Sequence, residues 1–174
     1  MSDPTTRQAL DEFPARYALT ARFSLGTPRN LRVTAGGSLV VFCRARNPQS
    51  STLCLWALDV ASGTERLLVD PAELGSDDSN LPPAERARRE RARESASGIV
   101  DYSLDRAGTR ACFALGGSLF VADLATGAVR SPELAGTVFD PRLNGPGTAV
   151  AYVDGADLRV VDLTAEPPAD RLLR

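Results

Sequence analysis

Two short patterns recur three times along this chain, and repetition at a fixed offset restricts the architecture more than any composition does. The first is a glycine followed five positions later by an aromatic that closes a short run: Gly37-Ser-Leu-Val-Val-Phe42, Gly108-Thr-Arg-Ala-Cys-Phe113 and Gly147-Thr-Ala-Val-Ala-Tyr152. The second ends on aspartate: Leu55-Trp-Ala-Leu-Asp59, Leu119-Phe-Val-Ala-Asp123 and Leu158-Arg-Val-Val-Asp162. From glycine to aspartate is 15 residues in the last two copies and 22 in the first, and the last two copies are offset by 39 at both elements.

Each copy reads as short strands joined by turns. In the middle copy, residues 99–104, 110–114, 118–123 and 128–131 make four strands, with the turn Asp105-Arg-Ala-Gly108 after the first. Gly116-Gly117 supplies the positive φ of a tight hairpin, while Asp123 and Gly127 suit the next turn. Four antiparallel strands repeated about every 40 residues describe propeller blades. A β-sandwich predicts alternation without such copying. The expected fold is therefore all-β, a partial β-propeller of about three four-stranded antiparallel blades near residues 29–69, 99–133 and 138–174. Propellers use ~4–8 blades, so residues 1–174 read as an incomplete N-terminal propeller domain. Val138, Val150 and Tyr152 of the last copy are then expected to lack one packing surface.

Two segments flank or interrupt the repeats. Tyr17, Leu19, Ala21, Phe23 and Leu25 alternate with more polar positions, which predicts a half-buried strand. Residues 70–97 form an insertion that opens with loop signals at 75–80, passes Pro82-Pro83 and predicts a surface helix over about 82–94. Glu85 with Arg89, and Arg86 with Glu90, are i,i+4 partners there. Its five arginines are interleaved with three glutamates, so a solvated, salt-bridged face is expected rather than a nucleic-acid surface.

Catalytic chemistry is hard to build from these residues. The chain has no histidine, which removes the usual general base and the commonest metal ligand. Gly36-Gly-Ser38 and Gly116-Gly-Ser118 lack the closing glycine of a nucleophile elbow. Gly145-Pro-Gly147 precedes a strand and no Lys-Ser/Thr pair, so it is no phosphate loop. Asp77-Asp78 reads as solvated loop acids rather than a cation site, and Trp56 as blade core rather than a stacking surface. Cys43, Cys54 and Cys112 are too sparse for a disulfide scaffold and wrongly spaced for zinc. Cys43 and Cys54 flank a hairpin and are placed to face each other across it, although buried thiols are the expected state. No catalytic, cofactor-binding or metal-binding residue is assigned, and no cofactor is expected. The net charge of −2 favours neither nucleic acid nor an anionic membrane, and no run approaches the ~20 apolar residues of a membrane helix. With no signal-peptide core at the N-terminus, the expected compartment is the cytoplasm.

Several ordered features carry a family resemblance. Arg22-Phe-Ser-Leu-Gly-Thr-Pro28, the helix over 85–94, Gly98-Ile-Val-Asp-Tyr-Ser103 and Leu119-Phe-Val-Ala-Asp-Leu124 follow in the order seen in one group of proteins. Together, over about residues 20–174, they resemble the N-terminal β-propeller of bacterial dipeptidyl peptidase IV-type serine peptidases, in the prolyl oligopeptidase family. The resemblance implies an eight-bladed propeller over a catalytic α/β-hydrolase domain that residues 1–174 do not include. It implies that the full-length parent releases N-terminal dipeptides, often after proline, through a Ser-Asp-His triad without a cofactor, and leaves room for a homodimeric parent. Peptide substrate would be met through that missing domain, with this segment as scaffold and gate. The family's acidic pair for the substrate ammonium has no Glu-Glu counterpart here, and the hairpin that carries its substrate-carbonyl arginine is only Leu115-Gly-Gly-Ser118. The other reading is a non-enzymatic, TolB-like propeller that binds a protein or ligand.

Overall fold

Gly37, Gly108 and Gly147 share one left-handed backbone, with φ of +69°, +70° and +71°. Each donates its N–H to the carbonyl three residues earlier, on Thr34, Asp105 and Asn144 respectively. Those three side chains in turn accept from the backbone that follows: Thr34 from Leu39, Asp105 from Thr109 and Arg110, Asn144 from Thr148 and Ala149. One turn is thus built three times, and it launches the same strand pair each time.

The computed structural model describes residues 4–75 and 81–173, and the expected loop acids Asp77 and Asp78 lie outside them. The first sheet runs β1 (Arg29–Val33), β2 (Leu39–Ala45), β3 (Thr52–Asp59) and β4 (Glu65–Val69), all antiparallel, with β5 (Ser97–Gly98) added parallel to β3. The second runs β6 (Ser103–Leu104), β7 (Arg110–Leu115), β8 (Ser118–Asp123) and β9 (Val129–Arg130). The third runs β10 (Phe139–Leu143), β11 (Ala149–Asp154), β12 (Asp157–Asp162) and β13 (Ala169–Leu172). The repeated aspartates close the third strand of each sheet alike. Asp59, Asp123 and Asp162 accept from the N–H and hydroxyl of Ser62, Thr126 and Thr164. The third sheet has no glycine in this turn, which is two residues longer, so Val160 pairs Arg171 where Ala57 and Val121 pair Arg66 and Arg130.

Side chains alternate between two faces of each sheet, here called forward (toward the next sheet in the chain) and backward. The forward face of the first sheet, with Val41, Leu55 and Ala57, packs on the backward face of the second, with Phe113, Phe120 and Ala122. Phe113 and Phe120 are cross-strand partners with rings stacked at 5.6 Å. Cys112, Leu119 and Val121 on the second sheet's forward face pack on Val150, Tyr152 and Val161 of the third. Val138, Val150 and Tyr152 are therefore fully covered (2%, 0% and 1% exposed), contrary to the expectation of a missing surface. They face back into the molecule. The open flank instead carries Ala149, Ala151, Val153, Leu158 and Val160, which meet no further sheet among the described residues.

Four further expectations change. Residues 17–25 form no strand: α1 (Pro4–Leu19) runs into them, and Ala21, Arg22 and Phe23 take left-handed conformations beyond it. Thr20 stops that helix by donating its hydroxyl to the Arg16 carbonyl and accepting from Phe23 N–H. The aromatics that mimicked alternation instead gather Phe13, Tyr17 and Phe23 into one partly exposed cluster. Residues 99–104 are not one strand either. Gly98, with φ +75° and no room for a Cβ beside the Leu53 carbonyl, turns the chain from β5 in the first sheet toward β6 in the second. Cys43 does not face Cys54, because the register pairs Cys43 with Leu55 and Arg44 with Cys54, on opposite faces. All three thiols are buried and free. Trp56 is half-buried on the open backward flank of the first sheet rather than in a core, where its indole N–H donates to the Arg44 carbonyl and the Arg44 guanidinium lies 4.6 Å over its ring.

Candidate functional site

The inserted helix forms as expected, α2 over Pro83–Ala92, and it walls a cavity of about 240 Å³. Three elements of the sheets complete the walls: the approach to β6 (Val100, Asp101, Tyr102), the hairpin glycines Gly116 and Gly117 between β7 and β8, and the start of β10. Gly117 has φ +81° and its missing Cβ leaves only 2.7 Å to Thr137, so the hairpin lies hard against the next segment. Tyr102 and Val138, both buried, give the cavity an apolar floor. The Tyr102 hydroxyl is turned away to the Asn30 and Val41 carbonyls, each at 2.7 Å.

Charge is concentrated at the rim. Arg142 bridges two carboxylates, Asp101 at 3.3 Å and Asp140 at closer range, and all three side chains are two-fifths or more exposed. On the helix side, Glu85 takes Arg88 and Arg89 at 2.7 Å each. This part of the helix is not the solvated face expected from sequence, since the Glu85 and Arg89 side chains are only 15% and 11% exposed. Burial pushes the Glu85 carboxyl up, but hydrogen bonds from Arg88 and Arg89 outweigh it and hold the group below the usual carboxylate range. Arg29 reaches Glu94 at 3.1 Å and ties the far end of the insertion to the first sheet.

Asp101 and Asp140 occupy one repeat position, four residues before Asp105 and Asn144, and Asn30 holds the same place before Thr34. Asn30 and Asp140 share a left-handed backbone (φ +52° and +49°), and a bulge breaks the pairing of β1 with β2 and of β10 with β11 at these points. The Asn30 amide donates to the Val100 carbonyl, and Leu143 N–H to the Ser103 hydroxyl, so the first strands of successive sheets are laced together here. The sequence reading missed this row. Its signal was present as the same 39-residue offset from 101 to 140 that separates Gly108 from Gly147.

The arrangement brings opposite charges and an apolar floor into one concave place. It offers carboxylates for a cation, guanidinium groups for an anion or carbonyl, and an apolar floor. Burial raises the Tyr102 hydroxyl above its ordinary range, pushes Cys54 to about 11 and Cys112 to about 12, and raises Cys43 as well. None of these groups is an activated nucleophile near neutral pH. No group of three or more metal-ligating side chains is found among the described residues. Likewise, no described helix is long and apolar enough to cross a membrane.

No known sequence family matches the chain. Solved structures do. The β-propeller domain of Cps50 (Swd1) from Myceliophteria thermophila superposes with a TM-score of 0.54 at 15% identity, over 85% of this chain and 39% of that one. TolB from Acinetobacter baumannii gives 0.51 at 12% identity, over 85% and 32%. The tricorn protease gives 0.51 at 16% identity, over 85% and 13%. The chain thus spans well under half the length of each. Three sheets of four antiparallel strands, the first with β5 added, packed face to face and with these neighbours, make a set of β-propeller blades that do not close into a ring among the described residues.

Proposed function

We propose that this chain is the non-catalytic propeller segment of a serine exopeptidase resembling dipeptidyl peptidase IV, where it holds and gates peptide for a catalytic domain supplied elsewhere. The cavity beside α2 carries this reading. Its opposed carboxylates and guanidinium groups around an apolar floor suit a short peptide, which brings a charged terminus, carbonyls and a side chain together. The chain itself has no imidazole and no nucleophile elbow, so the bond-breaking step belongs to the rest of the parent. A protease is also among the structures this fold resembles.

Calorimetric titration of the chain with the tripeptide Gly-Pro-Ala and with its N-acetylated form tests the proposal. Binding of the free amine, weakened about tenfold or more by acetylation or by Asp140→Asn, is expected, with no turnover of dipeptidyl chromogenic substrates. Equal binding of both forms, or none, overturns it. A second reading, a TolB-like binding module, has support of equal weight in the TolB superposition. It predicts that the cavity takes an internal segment of a partner protein, to which a free amino terminus makes no difference.

A further inference from the structure

Six charged side chains line the cavity beside α2, three of each sign, and each sign is in excess on one wall. On the helix wall, one carboxylate meets two guanidinium groups. Both Glu85 oxygens are taken: Oε2 accepts from Arg88 Nε, and Oε1 from Arg88 Nη2 and Arg89 Nε, each at 2.7 Å. That wall keeps one positive charge in excess. On the sheet wall, one guanidinium meets two carboxylates, and a single nitrogen, Arg142 Nη2, serves both Asp101 and Asp140. The other Asp101 oxygen accepts from Tyr102 N–H at 2.8 Å. This wall keeps one negative charge in excess.

The two walls act on each other. The hydrogen bonds and charge of Glu85 hold the Arg88 guanidinium above its usual range, and the charges of Asp101, on the facing wall, and Glu94 add to this against the effect of burial. Arg88, Asp101 and Asp140 are the more exposed of the charged groups, whereas Glu85 and Arg89 are mostly covered. A ligand with one charge satisfies one wall and leaves the excess of the other unpaired beside an apolar floor, which is costly. A ligand that carries both charges complements both walls.

We infer that the cavity takes a short peptide with both termini free. Its ammonium meets Asp101 and Asp140, its carboxylate accepts from Arg88 Nη1, and its side chain lies over Val138 and Tyr102. This rests on the peptide-holding role proposed above and adds the length of the peptide to it. The amino terminus of a long polypeptide satisfies the sheet wall alone, because its carboxylate is many residues away. Arg88 is thus the residue that separates short free peptides from the ends of proteins.

Calorimetric titration of the 174-residue chain with Gly-Pro-Ala and with its C-terminal amide tests the inference. Amidation leaves the amine intact and is expected to weaken binding about tenfold, the loss of one charge-assisted contact. Arg88→Gln should weaken the free acid by a similar factor and the amide little, so that the preference for the acid disappears, and Arg88→Lys should restore most of it. Acid and amide bound equally by the unaltered chain, with the N-acetylated peptide still rejected, overturn this inference and leave the peptide-holding role standing. A preference for the acid that survives Arg88→Gln, including through an equal loss of both forms, overturns it as well. Acetylation without effect, or no binding of any form, removes both readings together.

Discussion

Tyr102 places its hydroxyl 2.7 Å from the carbonyl of Val41, so the link that leads into the second sheet is fastened to the middle of the first. The ring is 1% exposed and belongs to the core between the two sheets. Tyr102→Phe keeps that packing and removes the only donor aimed at the Val41 and Asn30 carbonyls from this side chain. A loss of about 1–2 kcal/mol is expected in urea unfolding, the range for a buried hydrogen bond whose acceptor stays behind. A loss under ~0.3 kcal/mol would mean the hydroxyl does not fasten the sheets together.

Asp105 supports the turn of the second sheet with three hydrogen bonds to one carboxylate, from the N–H groups of Thr109 and Arg110 and the hydroxyl of Thr109. Burial raises this carboxyl, but the donors outweigh burial and hold it below the usual range. Because the folded value is depressed, the stabilisation is present above the unfolded carboxylate value of ~3.9 and is lost as pH falls through the folded value. Asp105→Asn should cost about 1.5–3 kcal/mol at pH 7. The gap between wild type and variant should narrow steadily as unfolding is repeated from pH 5 down to pH 2. A gap that is constant across this range would show that the charge contributes nothing.

The three cysteines lie under the sheets at 0%, 2% and 0% exposure for Cys43, Cys54 and Cys112. With burial holding Cys54 and Cys112 at about 11 and 12, their thiolates are scarce at pH 8. Reaction with a chromogenic disulfide reagent should therefore follow the opening of the fold, and all three thiols should react at once in denaturant. One equivalent released rapidly from the native chain would contradict this burial.

The repeated glycines and aspartates were readable from sequence because each performs a local job: a left-handed turn, or a side chain that caps the backbone ahead of it. The row Asn30, Asp101 and Asp140 follows the same spacing but works across sheets, and nothing local announces it. Arg66 and Arg130 escaped notice for the same reason, since their carbonyl partners lie in the next sheet along the chain. The cavity itself joins an inserted helix to residues more than 50 positions later, such as Asp140 and Arg142, so no window along the chain contains it. Helix α1 was misread for a different cause. Its apolar residues follow no clear helical stripe, Pro14 sits inside it, and its Tyr17 and Leu19 fall into alternation with Phe23 by accident.

Among the described residues only the second sheet has a neighbour on both sides, with Ala111, Cys112 and Phe113 all at 0% exposure in consecutive positions. The molecule therefore behaves as a short linear array in which each unit is coupled only to its neighbours. Losing an outer sheet breaks one coupling, while losing the middle one breaks both. Among these three sheets, opening an outer one is therefore expected to cost less than opening the middle one. A change made in residues 110–123 is felt along the whole chain.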